Sequence, residues 1–520
     1  MKTKHILSLI ASPLLLAMAV SAPAALSMRR FTATMAVALA FSIPLSAQVN
    51  PDGTIDTGDD HAEQALLQLE NPEAMARRLA WWSEARFGMF IHWGLYSQWG
   101  CHYPGADGKL LDGRTEHMMR HLRLPVALYE TIAHVFNPVQ FDADEWARVA
   151  KDAGMKYMII TAKHHDGFAM FNSPSNDYNI IQRTPWKRDP IKELAEACRR
   201  HGLKFGVYYS LGRDWHDPDV PTSVKRDGNR RSNDWDWPDD DKKDFTKYFE
   251  RKVKPQIREL LTQYGPIAVM WFDTPERISR AQSEELVRLI RTLQPDCIIN
   301  QRVGNRLGDY AVRERRIPGE TEVQPWETCM TLNDHWGYYL GDENWKSTER
   351  LVRHLIDIAS KGGNFLLNVG PTGEGIIPEP SVVRLREMGA WMRANGEAIY
   401  GTTASPLKQQ PAWGRVTKKV NDTCATLYLH VFDWPQNGRL RVPGLRNEVE
   451  SAALLVGGRR LETSRTDDGV EVALPSAAPD PISSTIVLRV KGTLAAADIP
   501  RTGFELREGS GHTTHEEELD

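Results

Sequence analysis

The segment YMIITAKHHDGFAMF, residues 157–171, joins an apolar run to four polar residues, Lys163, His164, His165 and Asp166. This cluster fits a metal site, a sugar pocket or ordinary structure. Neighbouring side chains on a strand point to opposite faces, so both imidazoles reach one ion only if the backbone bends. Metal-dependent barrel hydrolases favour two histidines separated by one residue on a first strand, and FIHWG lacks that spacing. A metal site is therefore the minor alternative.

Other apolar segments also end in residues that can do chemistry. One histidine at a strand end is more often structural, but six successive ends of this kind indicate a pocket. Sugars present apolar faces and hydroxyl edges, so aromatic rings beside His, Arg and carboxylates are typical of a sugar site. The residues are His92, Trp93, Tyr208, Tyr209, Trp271, Asp273, Arg302, Trp326, Glu327 and Asn368.

Asp273, which closes AVMWFD, is the strongest candidate carboxylate. Glycoside cleavage uses two carboxyl groups, one as nucleophile or base and one as proton donor. A carboxylate that follows a buried apolar strand is costly without a partner or a function. The structural alternative is a helix N-cap, since Asp after a strand often caps the next helix. We favour the catalytic interpretation.

The elements that must position these residues form a βα repeat over residues 71–402. Apolar strands alternate with amphipathic helices such as PIKELAEACRRHG, which ends at a glycine. Buried strands separated by helices predict a parallel sheet, and seven candidate units suit a (β/α)8-like TIM barrel. A doubly wound open sheet is the alternative, without a glycine-rich fingerprint to support it. The predicted strands are RFGMFIHWG, YMIITAKHH, KFGVYYS, IAVMWFD, CIINQR, PWETC and NFLLNVG.

Beyond the barrel the pattern changes to alternating short strands. CATLYLHVF, RLRVPGL and GVEVALP are separated by turn residues, so we expect an antiparallel β-sandwich over residues 403–495. The polar, acidic stretch 496–520 is predicted to be disordered.

Two apolar runs, each with a basic start, occupy residues 1–47. Both match a signal peptide and are short for a membrane span. We interpret Met28 as the natural start, 1–27 as an upstream extension, and 48–70 as a linker after cleavage near Ala47. A single long signal or a membrane anchor is the alternative. The mature protein is expected to be exported, to the periplasm or outside the cell, and free of the membrane.

Composition narrows the function further. The chain has 520 residues, 41% hydrophobic and 25% charged, with a formal charge of −4, and it lacks the basic stripe of a nucleic-acid-binding protein. Its five cysteines show no CxxC spacing, so neither a zinc site nor a dense disulfide framework is indicated. No cofactor is predicted.

The motifs RFGMFIHWG, AKHHDGF, FGVYYS, WFD, PWETC, WGYY and GGNFLLNVGPTGEG occur together. In this combination the chain resembles the α-L-fucosidases of glycoside hydrolase family 29. The resemblance implies a catalytic barrel followed by a β-sandwich, no metal, and a retaining mechanism through a covalent fucosyl-enzyme intermediate.

The resemblance also implies roles for individual residues. Asp273 matches the nucleophile. Trp336 matches a ring placed against the fucose methyl group, and Glu116 matches a pocket carboxylate that is commonly followed by Trp, where this chain has His117. Further positions that match sugar contacts are His92, His164, His165, Tyr208, Trp271 and Arg302.

The acid/base position varies in this family and two glutamates compete for it. Asp309 and Tyr310 of GDYAVRERRIP fix a register that makes Glu314 the equivalent residue, on a loop able to swing over the pocket. Nearby arginines would lower its pKa, which is unfavourable for an acid. Glu327 is the reserve candidate, at a strand end, with a structural role as its alternative.

The predicted activity is exo-acting hydrolysis of terminal α-linked L-fucose by double displacement, with Asp273 as nucleophile and Glu314 as acid/base. The expected partner is a fucosylated oligosaccharide or glycoconjugate; oligomeric state is not predicted. Alternatives are a glycosidase for a related sugar such as α-L-galactose, a non-catalytic glycan-binding barrel, and a metal-dependent hydrolase.

Overall fold

The computed structural model describes residues 71–221, 231–322, 324–407, 410–421, 423–492 and 494. The predicted signal region, the linker and the polar tail lie outside these ranges and stay predictions.

The strands, in chain order, are β1 (Phe87–Ile91), β2 (His102–Pro104), β3 (Leu110–Asp112), β4 (Tyr157–Lys163), β5 (Lys204–Ser210), β6 (Val269–Asp273), β7 (Ile298–Ile299), β8 (Ala311–Glu314), β9 (Trp326–Thr331), β10 (Asn364–Val369), β11 (Gly414–Val420), β12 (Cys424–Val431), β13 (Arg439–Pro443), β14 (Val449–Leu454), β15 (Thr463–Thr466), β16 (Gly469–Ala473) and β17 (Ser484–Lys491).

The α-helices are α1 (Pro72–Ala85), α2 (Met118–His121), α3 (Val126–Tyr129), α4 (Ala143–Asp152), α5 (Ile180–Arg183), α6 (Pro190–His201), α7 (Phe245–Tyr248), α8 (Lys254–Gln263), α9 (Arg280–Leu293), α10 (Thr348–Ser360) and α11 (Glu379–Asn395). A π-helical turn, Phe249–Val253, joins α7 to α8.

Eight strands form one parallel sheet in the described ranges, in the order β7-β6-β5-β4-β1-β10-β9-β8. A parallel bridge between Asn300 and Tyr310 joins the two edge strands, so the sheet closes into a barrel. The predicted TIM-barrel class is confirmed. In such a barrel the carboxyl ends of all strands meet at one face, which is where side chains from distant segments can converge.

The local sequence explains these elements. β1, β4, β9 and β10 are buried along their whole length, as expected for strands covered on both faces. The helix α6 begins after Asp189, whose carboxylate accepts the Lys192 N–H, and ends at His201, which is followed by Gly202 with a φ of 72°. That positive φ suits glycine, which has no Cβ to collide with the carbonyl.

The sequence interpretation missed β8. Its four residues, AVRE, end in two charged side chains and carry no long apolar run, so they were predicted to be a loop. The parallel pairing of Ala311 with Trp326 makes them a barrel strand instead. Conversely, only Ile298 and Ile299 of CIINQR are strand, because the chain turns into a short 3-10 helix at Gln301–Val303.

The C-terminal part is the predicted antiparallel sandwich. A four-stranded sheet, β11-β12-β17-β14, and a three-stranded sheet, β13-β16-β15, enclose an aliphatic core of leucine and valine side chains. The boundaries 71–402 and 403–495 stay predictions, and the barrel strands and the sandwich strands fall within them.

The cysteines in the described ranges are all free thiols. Among the helices of those ranges, none combines the length and the apolar composition that a membrane crossing requires.

Candidate active site

The carboxyl ends of the barrel strands bring most of the predicted site residues together. Asp273 is the last residue of β6, and Glu314 is the last residue of β8. His92 directly follows β1, and Arg302 lies in the turn after β7. These positions place residues from four separate segments at one face of the barrel.

Asp273 is held by three donors. The Tyr208 hydroxyl donates to Oδ2 at 2.7 Å, while the Arg302 guanidinium and the Thr274 N–H donate to Oδ1 at 2.7 and 2.9 Å. Burial raises the pKa of Asp273, but the Arg302 charge and the Tyr208 hydroxyl outweigh it, so the pKa lies below its ordinary value. The helix-cap alternative does not apply, because α9 begins seven residues later, at Arg280, and is capped by Ser279.

Arg302 also contacts the second candidate carboxylate. Its other terminal nitrogen donates to Glu314 Oε2 at 2.6 Å. One guanidinium therefore bridges Asp273 and Glu314 at the mouth of the barrel. The Glu314 side chain is 24% exposed, against 14% for Asp273, so it is the more accessible of the pair.

The arginines that flank Glu314 point to other partners. Arg313 donates two hydrogen bonds to Glu322, and Arg315 donates to the backbone oxygen of Asp334. Arg315 has a φ of 52°, in the left-handed region that non-glycine residues rarely adopt. The chain thus turns sharply directly after Glu314, and the carboxylate stands at the end of a strand instead of on the predicted loop.

Glu327 lies elsewhere in the barrel. It is the second residue of β9 and pairs with Asn364, the first residue of β10, so the prediction that it ends a strand was wrong. The predicted strand PWETC ends at Cys329, whereas β9 continues to Thr331. Its carboxylate accepts hydrogen bonds from Tyr157, Trp271 and Trp82 at 2.7, 3.0 and 3.4 Å. Burial raises its pKa to about 7.

The paired histidines occupy the pocket together. β4 ends at Lys163, its pairing with β5 shifts register after Thr161, and the rings of His164 and His165 come within 4.1 Å of each other. The strand end therefore places both rings on one side, as a backbone bend would. His164 stacks on Tyr208 at 5.4 Å.

Hydrogen bonds determine which ring nitrogen carries the proton in His92 and in His165. The Ser210 hydroxyl donates to the Arg213 carbonyl, so Ser210 Oγ accepts from His165 Nδ1 at 2.6 Å. The Asn368 amide donates to the Trp336 carbonyl, so Asn368 Oδ1 accepts from His92 Nδ1 at 2.7 Å. Each ring is then left with a lone pair on Nε2, able to accept from a hydroxyl.

Both rings are neutral at ordinary pH. Burial lowers the pKa of His92 to about 4 and that of His165 well below its usual value. His165 Nε2 lies 3.8 Å from Asp273 Oδ2, so a hydroxyl bound there would sit beside the candidate nucleophile.

Aromatic rings complete the pocket. Trp271 stacks on Tyr208 with centroids 5.5 Å apart, and the Arg302 guanidinium lies 5.3 Å from the Trp271 centroid. The Trp336 ring centroid lies 5.0 Å from that of His92, and the Arg315 guanidinium lies 5.1 Å from the Trp336 centroid. Such faces suit the apolar side of a sugar ring.

Glu116 belongs to the same pocket through the segment that carries Trp336. It is 4% exposed, and its Oε2 accepts the Gly337 N–H at 3.2 Å. Burial raises its pKa.

Three further strand-end predictions were wrong along with Glu327: Trp326 is the first residue of β9, the Tyr209 hydroxyl donates to Gln256 of α8, and the Trp93 ring packs on Phe141 and Trp146. The other predicted site residues lie around the barrel mouth or on the segments that close it.

Strained backbone flanks two of the acidic residues. Thr274, directly after Asp273, has a φ of 50°, and Thr115, directly before Glu116, has a φ of 67°. Left-handed β-branched residues are costly and concentrate at functional sites. Threonine at these two positions does not by itself predict a left-handed backbone conformation.

The sequence reasoning also missed a buried ion cluster behind the histidines. Lys163 and Lys252 both contact Asp214 Oδ2, at 3.0 and 2.6 Å, and all three side chains are at most 1% exposed. The adjacent Trp215 N–H donates to the His165 carbonyl at 2.7 Å. Because Lys163, Asp214 and Lys252 are spread over 90 positions of the chain, no motif in the sequence predicts that they meet.

No group of three or more His, Cys, Asp or Glu side chains in the described part of the chain is arranged to hold a metal ion. The four polar residues of the KHHD segment separate into different roles: Lys163 pairs with Asp214, and Asp166 accepts from Tyr129. The adjacent imidazoles face the pocket.

A closed parallel barrel with two bridged carboxylates among histidines and aromatic rings is the architecture of a barrel glycoside hydrolase. A family model described as alpha-L-fucosidase matches residues 58–397. The chain belongs to the alpha-L-fucosidase family, as the motif resemblance predicted.

Individual relatives agree with this family. The plasma alpha-L-fucosidase of Rattus norvegicus is 32% identical over 429 residues, covering 76% of this chain and 87% of that protein. The structure of alpha-L-fucosidase isoenzyme 1 from Paenibacillus thiaminolyticus is 39% identical, with a TM-score of 0.72 over 81% of this chain and 100% of that one. An alpha-L-fucosidase from Vibrio sp. strain EJY3 is 35% identical, with a TM-score of 0.73 over 83% and 75%.

Proposed function

We propose that this protein is an exo-acting, retaining α-L-fucosidase that hydrolyses terminal α-linked L-fucose from fucosylated glycans. The observation that carries the proposal is the single guanidinium of Arg302 that bridges Asp273 and Glu314 at the barrel mouth. Retaining enzymes need two carboxyl groups about 5–5.5 Å apart. The shared contact with one guanidinium brings the two carboxylates close together, which supports this pairing.

In the first step, an oxygen of Asp273 attacks the anomeric carbon while Glu314 gives its proton to the departing glycosidic oxygen. Asp273 suits this role because its lowered pKa keeps it ionised. Because Glu314 Oε2 accepts from Arg302, the proton that Glu314 gives to the substrate is carried on its other oxygen, Oε1. In the second step Glu314 removes a proton from water, which attacks the same carbon and releases Asp273.

The neighbouring groups position the sugar. The Nε2 lone pairs of His92 and His165 accept from hydroxyl groups, and Trp271 and Trp336 cover apolar faces of the ring. Because these side chains are almost fully buried, the pocket encloses a terminal sugar, which supports exo action. L-Galactose differs from L-fucose only by a hydroxyl at the methyl position, which Trp336 would contact. An apolar contact discriminates only modestly against an added hydroxyl, so we expect weak hydrolysis of α-L-galactosides.

The roles of the two carboxylates are separable by azide rescue. With a nitrophenyl α-L-fucoside, Asp273→Gly should lose turnover and recover it in azide with formation of β-fucosyl azide, because azide takes the place of the nucleophile. Glu314→Gly should still form the intermediate and yield α-fucosyl azide instead. NMR of the products distinguishes the two anomers.

The matched control is Glu327→Gln, which tests the reserve acid/base. We expect it to hydrolyse the substrate without azide dependence. Near wild-type turnover of Asp273→Gly would overturn the nucleophile assignment, and α-fucosyl azide from a Glu327 variant but not from Glu314→Gly would transfer the acid/base role to Glu327.

We also infer that the protein is exported. Residues 1–47 carry the signal-like pattern, and a similar rat protein is named a plasma fucosidase. N-terminal sequencing of the mature protein tests this: a start near residue 48 supports cleavage, and a retained apolar segment supports the anchor alternative.

A further inference from the structure

Asp214 is a buried acid on the loop after β5 that the mechanism above does not use. The loop, residues 211–216, follows Ser210, the last residue of β5. The Asp214 side chain is 0% exposed, and its Oδ2 lies 3.0 Å from the Lys163 ammonium and 2.6 Å from that of Lys252. Because desolvation offsets most of the attraction, a buried ion cluster is weak evidence for stability. The cluster therefore points to another role.

The first lysine ties Asp214 to the strand that leads into the paired histidines. Lys163 is the last residue of β4, and its ammonium donates to Asp214 and to the Tyr248 hydroxyl at 3.0 and 2.8 Å. The same ammonium lies 4.5 Å from the centre of the Tyr209 ring. Tyr209 contacts α8 and Tyr248 belongs to α7. The Lys163 ammonium therefore lies on the helix side of the sheet, whereas the histidine rings lie on the pocket side.

Asp214 also packs on the turn that follows the histidines. The Gly167 N–H donates to the His164 carbonyl at 3.1 Å, and Gly167 has a φ of 74°. A Cβ on Gly167 would lie 2.2 Å from Asp214 Oδ1, the atom that accepts the His216 N–H at 3.2 Å. Only glycine provides both the positive φ and the close approach. Asp214 thus contacts both ends of the segment 163–167.

The two chain neighbours of Asp214 hold His165 itself. The Trp215 N–H donates to the His165 carbonyl at 2.7 Å, and the Trp215 ring packs on the His165 ring with centroids 5.4 Å apart. The Arg213 carbonyl accepts from the Ser210 hydroxyl, which accepts from His165 Nδ1. The position of the loop therefore sets the backbone and the tautomer of His165, whose Nε2 lies 3.8 Å from the candidate nucleophile.

The second lysine comes from an irregular part of a helix. Lys252 is 1% exposed and lies in the π-helical turn Phe249–Val253, a kind of turn that is frequent at functional sites. Burial alone would raise the pKa of Asp214, but the charges of Lys163 and Lys252 outweigh it, so that pKa lies below its ordinary value. The ionised carboxylate therefore joins β4, the loop and the helix.

We propose that Asp214 is a positioning residue that holds His165 beside the candidate nucleophile by joining the loop after β5 to the strand end at Lys163. The inference rests on the proposed function, because the Nε2 lone pair of His165 matters only where a sugar hydroxyl binds. Both oxygens of Asp214 accept hydrogen bonds, whereas asparagine has the same shape and only one acceptor oxygen. Asp214→Asn should therefore loosen the link without opening a cavity.

The kinetic test is hydrolysis of a nitrophenyl α-L-fucoside by Asp214→Asn. We expect kcat to fall by about 10- to 100-fold with little change in KM, because a small displacement of a positioning group costs rates of this order and hydrogen bonds to a hydroxyl near the reacting carbon strengthen in the transition state. The control is Asp219→Asn, five residues further along the chain, where the acid pairs with the half-exposed Arg251. It should keep wild-type turnover.

A double-mutant cycle separates positioning of His165 from a general loss of structure. In a His165→Gln background, Asp214→Asn should lower kcat little further, because both changes remove the same contact. In a His92→Gln background, which lacks a different sugar contact, the full loss should persist. Equal losses in the wild-type, His165→Gln and His92→Gln backgrounds would mean that Asp214 only supports the fold and would overturn the proposal, as would an unchanged kcat of Asp214→Asn.

NMR of protein labelled with 15N-histidine follows the ring without any need for turnover. Wild-type His165 should show a protonated Nδ1 and an unprotonated Nε2, and Asp214→Asn should shift these signals while those of His92 stay in place. Unshifted His165 signals would overturn the proposal. An absence of fucoside hydrolysis by wild type would instead overturn the proposed function, and the NMR comparison would still test the link between Asp214 and His165.

A second variant covers the case in which Asp214→Asn does not fold. The double change Asp214→Asn with Lys252→Met removes one charge of each sign, so the net charge of the cluster stays that of wild type. We expect this variant to fold and still to show the low kcat and the shifted His165 signals. Wild-type turnover in the double variant would show that only charge balance matters and would overturn the proposal.

Discussion

At the scale of single residues, a neighbouring cation decides which of two buried carboxyl groups is ionised. Asp273 and Glu327 are both buried barrel residues with several donors. The Arg302 charge keeps Asp273 ionised, while Glu327 has neutral donors only and burial raises its pKa to about 7. A cation, and not the number of hydrogen bonds, separates the candidate nucleophile from a structural carboxyl group.

Glu327 should therefore make the protein less stable as pH rises. Its folded-state pKa of about 7 lies above the ordinary value of 4.5, so the folded state binds an extra proton between these values and stability falls across them. We expect the free energy of unfolding of Glu327→Gln, relative to wild type, to improve by about 3 kcal/mol from pH 4.5 to pH 7 and above.

Urea unfolding at a series of pH values measures this difference. Exposed Glu450→Gln is the control and should show no comparable trend. A pH-independent difference between Glu327→Gln and wild type would show that Glu327 is already ionised in the folded protein at acidic pH.

At the scale of elements, close contacts override the local preference of a residue. Gly389 lies within α11, where alanine would ordinarily stabilise a helix by about 1 kcal/mol. A Cβ on Gly389, however, would collide with the backbone oxygen of Asp152 at the end of α4. Since a backbone atom cannot rotate away, the two helices would have to separate.

We therefore expect Gly389→Ala to lower the free energy of unfolding by about 1–3 kcal/mol, opposite in sign to its helix propensity. Arg386→Ala, an exposed change on the same helix, should have little effect. Thermal unfolding of the two variants and of the wild type measures these differences. A Gly389→Ala variant more stable than wild type would contradict the prediction and would mean that α4 and α11 separate with little loss of packing energy.

At the scale of the whole molecule, a buried ion cluster links the barrel to the sandwich. Asp357 of α10 accepts from Lys361 at 3.0 Å and from Arg415 of β11, and all three side chains are almost completely buried. The Trp391 indole of α11 also donates to the Ser483 carbonyl of the sandwich. The two parts therefore share an interface that is polar and enclosed.

Removing the shared acid should destabilise both parts together. Asp357→Asn leaves two buried cations without a counter-charge, and we expect a loss of about 3–5 kcal/mol in the free energy of unfolding. The exposed Glu448→Gln, which removes the partner of Lys491, should be close to neutral. If tryptophan fluorescence and fucosidase activity are lost at the same urea concentration, the barrel and the sandwich unfold together as expected. An Asp357→Asn variant as stable as wild type would refute the prediction.

Much of the site followed from position along the chain. His92, His164 and Asp273 stand at ends of long apolar segments, and a parallel barrel brings such ends to one face. Glu314 was found through its spacing from neighbouring motif residues, although its strand was missed because AVRE is short and half charged.

The amino-acid sequence by itself determined the barrel, the sandwich and the family, because these depend on apolar periodicity and on motifs that are local in the chain. Tertiary structure alone decided that Arg302 bridges two carboxylates and that Glu327 lies at the start of its strand. Each of these depends on contacts between distant segments, which exist only once strand register and loop path are fixed.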